Sequence, residues 1–166
     1  ADGTKEIAKQ YTDKLYDFVW VDDFSAARNF AFSKATMDYI YSADADERLD
    51  GENQAKFLQL KEALLPEIEI VQMYYCNQLE NNTIYSFDKE YRPKLYKRIR
   101  QFVWQEKIHE AVALEPVVYD SDIEIACASK YENRNNVLVK NLYDNDLFST
   151  APNVSGIFSL GAKYEA

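Results

Sequence analysis

Apolar side chains recur every three to four positions between Lys5 and Trp20, at Ile7, Tyr11, Leu15 and Phe18, with Lys and Asp between them. That spacing predicts a one-sided helix capped by Thr4. Asp22 and Asp23 offer a second cap, and Ala26, Phe30, Met37, Ile40 and Tyr41 carry helical spacing on to about Ser42, so the chain opens as a helical hairpin. The polar stretch from Asp44 to Gly51 reads as a surface loop, followed by a third helix over Glu52 to Leu65 that Pro66 ends or kinks.

Beyond Pro66 the pattern fits two periods. Ile68 and Ile70 alternate with Glu67 and Glu69 as in a strand, whereas Ile68, Val71, Tyr75 and Leu79 suit a helix, which is the expectation for residues 67–79. Pro93 fits the first position of a further helix running to Val112 with Leu95, Ile99, Phe102, Val103 and Ile108 along it. After Pro116 the period becomes two, at Ile123, Ile125 and Cys127, again at Val137 and Val139, and last at Phe158, Leu160, Ala162 and Tyr164. Helices first and strands last predict a single α+β domain over residues 1–166. Its N-terminal helices would pack on a small antiparallel sheet formed mainly by the C-terminal third. A hydrophobic content of 47%, with 14% aromatic, suffices for a core that needs no disulfide or metal.

Charge narrows the partners. Nineteen basic against 28 acidic side chains leave a net charge of −9, which repels a phosphate backbone or an anionic membrane, so neither nucleic acid nor membrane insertion is expected. No apolar run reaches the length of a membrane span and the first residues lack the pattern of a signal peptide, which makes a soluble chain the expectation. Cys76 and Cys127 are too few for a disulfide framework and lie in no Cys-x-x-Cys spacing, so both are read as reduced and inert.

Candidate chemistry is sparse, because His109 is the single histidine. Glu106 and His109 have a Glu-x-x-His spacing, but a paired-iron site needs a second such motif and therefore a second histidine. In the acidic loop, counting from Asp46 as the first calcium ligand puts Arg48 at the third position and Phe57 where a bidentate Glu belongs. Gly156 to Lys163 approaches a phosphate loop, yet Ala162 separates Gly161 from Lys163 and no Ser or Thr follows. No catalytic residue, metal site or cofactor is assigned on these grounds.

The strongest partner signal is basic. Arg92, Lys94, Lys97, Arg98 and Arg100 place five cations in nine residues of an acidic chain, and on a helix Lys94, Lys97 and Arg98 would share one face. Tyr96 and Trp104 supply aromatic anchors beside them, as do the pairs Tyr39 with Tyr41 and Tyr74 with Tyr75. The leading expectation is a non-enzymatic structural or assembly protein that meets a protein partner or its own copies through this stripe. A small-ligand or peptide-binding module with an aromatic pocket comes second, and an enzyme working by carboxylates alone third.

Overall fold

Residues 39–43, Tyr-Ile-Tyr-Ser-Ala, are buried one after another, and a run covered on both faces suits a β-strand rather than the one-sided stripe of a surface helix. The computed structural model describes residues 3–76, 90–108, 111–112, 115–127 and 154–159. In chain order these form α1 (Thr4–Ala8), α2 (Phe24–Lys34), β1 (Tyr39–Asp44), β2 (Glu47–Arg48), α3 (Gly51–Ala63), β3 (Ile70–Cys76) and β4 (Glu90–Lys97). A 3-10 turn (Arg98–Arg100), β5 (Trp104–Gln105), β6 (Ala111–Val112), β7 (Val118–Cys127) and β8 (Val154–Ser159) complete the set.

Among the described residues six strands make one sheet in the order β2-β7-β3-β4-β1-β8, and β5 pairs with β6 apart from it. β1 runs parallel to β8 and β3 parallel to β7, while β4 is antiparallel to both β1 and β3. The expected antiparallel sheet of the C-terminal third is therefore replaced by a mixed sheet built from strands along the whole chain. Its shape follows from one connection. Glu47 starts β2 only three residues after Asp44 ends β1, a reach of at most about 11 Å, yet in a flat sheet these strands would stand four spacings apart, about 19 Å. The sheet must curl until its two sides approach.

Burial sorts the side chains onto the two faces of this curled sheet. One cluster unites Tyr39, Tyr41, Ala43, Val71, Met73, Leu95, Ile123 and Ile125 with Leu49 and with Phe57 of α3. Ile40, Ile70 and Tyr96 point the opposite way and join Phe32 of α2, Phe102 and Trp104. Helices thus cover both faces. Asp23 caps α2 by accepting from the Ala26 amide at 3.0 Å, and Asp50 caps α3 by accepting from the Asn53 amide at 3.2 Å.

The departures from expectation have physical causes. Helix α3 lies where the sequence puts a helix, but the first helix stops at Ala8, and residues 12–23 run without helix along α2, tied by Phe18 against Phe30 at 5.3 Å and Trp20 against Phe24 at 4.9 Å. Tertiary aromatic contacts outweigh a weak periodicity there. The helix expected to reach Ser42 ends at Lys34, and residues 67–79 contain β3 rather than a helix. Pro93 opens no helix. It sits in β4 where the pairing with β3 slips, since Val71 faces Leu95 but Gln72 faces Pro93, and a bulge is one of the few places a sheet tolerates proline. The strand expected over 123–127 lies within β7, whereas Val137, Val139 and residues 160–164 fall outside the described residues.

Two stability predictions follow from this core. Phe57 is fully buried and rings with Tyr41 at 5.4 Å, so Phe57→Ala should cost about 3–5 kcal/mol in denaturant unfolding. Burial, with Glu47 and Asp44 adding to it, holds the Tyr41 hydroxyl well above its ordinary 10.0. The unfolded tyrosine ionises near that value and the folded one does not, so this stabilisation is complete below pH 10.0 and is lost as pH rises further. Tyr41→Phe should flatten the alkaline limb of a stability-against-pH curve; an unchanged limb would assign the loss to other groups.

Candidate active site at the end of the first strand

Because β1 is antiparallel to β4 and β4 to β3, the carboxyl ends of β1, β3, β7 and β8 gather at one end of the sheet. Ligand sites of open α/β sheets form at such ends. There β1 runs into an acidic turn, Asp44-Ala45-Asp46-Glu47.

Each acid of the turn has its own surroundings. Glu47 is 1% exposed and its Oε1 accepts from Lys94 Nζ at 2.5 Å, while its Oε2 accepts from the Asp44 amide at 3.1 Å. Burial pushes the Glu47 carboxyl up and the Lys94 ammonium pulls it back, burial being the larger effect. Glu47 is thus a fixed strut that shapes the turn. Asp44 Oδ1 accepts from Arg28 Nη2 at 3.2 Å, and Arg28 Nη1 donates to Ser42 Oγ at the same 3.2 Å. Asp46 is half-buried at the tip and makes no hydrogen bond or ion pair to another described side chain.

Arg28 is itself held. Its guanidinium lies 5.0 Å over the Trp104 ring, and Asn29 clamps the Trp104 backbone, donating to its carbonyl at 3.0 Å and accepting from its amide at 2.8 Å. Trp104 Nε1 is buried without a hydrogen-bond partner among the described residues. The turn thus carries two carboxylates, Asp44 and Asp46, besides the buried Glu47, with the Arg28 guanidinium on Asp44. Carboxylates so placed suit a divalent cation or a hydroxyl donor. Among the described residues no three acids, histidines or cysteines gather into a group that could hold a metal alone.

The basic cluster is dispersed, and only its Lys94 reaches the turn. Residues 90–97 form a strand, so Lys94, Lys97 and Arg98 share no helix face. Lys94 is buried on Glu47, Tyr96 and Trp104 lie in the outer core cluster, and Arg92 stacks 3.7 Å over the Tyr75 ring and pairs with Glu90 at 3.2 Å. Lys97 donates to the Pro66 carbonyl, Arg98 Nε to the Met37 carbonyl at 2.5 Å, and Arg100 pairs with Glu69 at 2.8 Å. Tyr39 and Tyr41 are buried, not surface anchors. His109 falls outside the described residues, and residues 154–159 of the glycine-containing tail form β8. Sequence reasoning passed over Arg28, Asp44 and Asp46 as a set. The signal was a run of uncharged residues, 39–43, stopping at three acids in four residues, but reading most of that run as helix hid the strand end.

Removing one partner of the Lys94–Glu47 pair strands a buried charge. Lys94→Met or Glu47→Gln alone should cost about 3–5 kcal/mol, and the double variant should recover much of the loss. Additive losses in a double-mutant cycle by denaturant unfolding would contradict this coupling.

Comparison with known proteins gives the site its context. The family described as Glycosyl transferase family 2 matches residues 1–114, more than half of the chain and inclusive of the acidic turn. A TPR repeat-containing protein of Synechococcus elongatus is 52% identical over 48 residues, which are 29% of this chain and 12% of that protein. The chain thus spans about an eighth of the length of the relative it matches. The family match overturns the expectation of a non-enzymatic structural protein, which rested on the scarcity of His, Cys and Gly motifs. Glycosyl transfer needs none of them.

Proposed function

The chain belongs to glycosyl transferase family 2, and on that premise we propose that it moves a glycosyl unit from a donor with a phosphate leaving group to an acceptor hydroxyl at the acidic turn. The observation that carries this reading is the pair Asp44 and Asp46 at the carboxyl end of β1, with Asp44 oriented by Arg28 and the turn fixed by Glu47. In the reaction the acceptor oxygen bonds to the anomeric carbon as the bond from that carbon to the phosphate oxygen breaks. The bonding pair leaves with the phosphate, and the acceptor proton passes to solvent.

Charge decides how the turn takes part. Two carboxylates repel a phosphate, so they serve an anionic leaving group only through a shared cation. Small hard cations such as Mg²⁺ use one or two protein carboxylates plus substrate phosphates, and Asp44 and Asp46 fit that mode although no closed protein cage is described. When bound, such an ion supplies charge neutralisation to the leaving group. Asp44 and Asp46 would hold it, Arg28 orients Asp44, and Trp104 with Asn29 keeps Arg28 in place.

Calorimetric titration with nucleoside diphosphates, with and without Mg²⁺ or Mn²⁺, tests this reading together with turnover of the corresponding nucleotide sugars. Binding should require the metal. Asp46→Asn should lower turnover on the order of 10²-fold or more, as losing one charge-stabilising group does, and Arg28→Ala about 10–100-fold, as losing an orienting partner does. Metal-independent binding, or full turnover in the Asp46→Asn variant, would reject the turn as the leaving-group site.

A further inference from the structure

The outward face of β3 and β4 carries an aromatic pair at the same end of the sheet as the acidic turn. Side chains alternate along a strand. Val71 and Met73 turn into the inner cluster and Ile70 into the outer one, so Gln72 and Tyr74 follow Ile70 outward. Tyr74 stands opposite Tyr91 of β4, and the two rings stack with centroids 4.0 Å apart and planes at 27°. Along β1, Ser42 and Asp44 likewise follow Ile40 to this face, and β1 neighbours β4. The tyrosines and the acidic turn therefore share both a face and an end of the sheet.

Neither tyrosine belongs to the two core clusters of described residues, and both residues are half-buried. Their surroundings are polar. Gln72 Nε2 donates to Asp120 Oδ1 at 3.1 Å, and the Tyr91 hydroxyl, in contact with that of Tyr74 and near Asp120 and Asp122, is pushed up to about 12. Stacked rings edged by carboxylates and a carboxamide discriminate among ligands. A nucleotide base could stack, but its phosphates would meet Asp120 and Asp122. A pyranose ring instead offers a C–H face to the electron-rich ring face and hydroxyls to the acids and the amide.

We propose that the Tyr74–Tyr91 pair is the acceptor subsite, taking a neutral saccharide whose C–H face lies against a ring face of the pair that the stack leaves uncovered and whose hydroxyls hydrogen-bond Asp120 and Gln72. The acceptor role rests on the transferase reading above. This site takes the uncharged substrate and the acidic turn the phosphorylated one, which keeps the two from competing for one surface.

The test is titration of the chain with short linear glucose and N-acetylglucosamine oligosaccharides, followed by saturation-transfer NMR and calorimetry. A Mg²⁺–nucleoside diphosphate titration runs in parallel, and circular dichroism verifies each variant. Tyr91→Ala and Tyr74→Ala should weaken saccharide binding about tenfold with diphosphate binding unchanged. Tyr91→Phe, which keeps the ring, should bind within about threefold of the parent. Unchanged saccharide affinity in both alanine variants, or no saccharide binding where diphosphate binding is intact, overturns the subsite. Tyrosine-dependent saccharide binding without any diphosphate binding upholds the saccharide site and sinks only the transferase reading.

Discussion

The contact between Lys94 on β4 and Glu47 on β2 ties together two strands that stand three places apart in the sheet order. It forms only because the two-residue turn after β1 forces the sheet to curl. A buried ion pair adds little net stability over an apolar pair of the same volume, and its worth lies in specifying one arrangement. Here the arrangement specified is the acidic turn, since the Glu47 oxygen that Lys94 leaves over accepts from the Asp44 amide.

From that strut outward the site is a series of supports. Arg28 reaches from α2 to Ser42 and Asp44, and the Trp104 ring and Asn29 keep Arg28 from swinging away. The supports come from several elements, Arg28 and Asn29 from α2, Ser42 from β1, Lys94 from β4 and Trp104 from β5, so the turn is fixed by tertiary contacts more than by its own sequence. Rigid elements with locked side chains are what a charge-bearing site requires. Asp46, with no described partner, is the group of the turn left over for a ligand.

Several features were legible in the sequence. The span of α3 and the alternation of Ile123 and Ile125 in β7 follow from local chemistry, whereas Asp50, read as part of the loop, is the cap of α3. β1 and β4 were not legible. A strand buried on both faces shows no alternation, and its Tyr39, Ile40 and Tyr41 fall by coincidence into a helical continuation of α2. In β4, Pro93 looks like a helix start because the bulge that accommodates it exists only once β3 is alongside. Lys94, Tyr96 and Trp104 looked like surface anchors for the same reason, as burial of a Lys or Trp depends on partners distant in sequence.

The sequence by itself determined the acidic balance, the α3 helix, the period-two pattern of β7 and the presence of three acids in four consecutive residues. These depend on neighbours within a turn or two of chain, where propensity and capping act. Tertiary structure alone decided which acid would be a buried strut, which would be oriented by an arginine and which would stay open. Those fates are set by Lys94 and Arg28, and contacts across 47 and 16 residues of chain form only when the curled sheet brings the residues together.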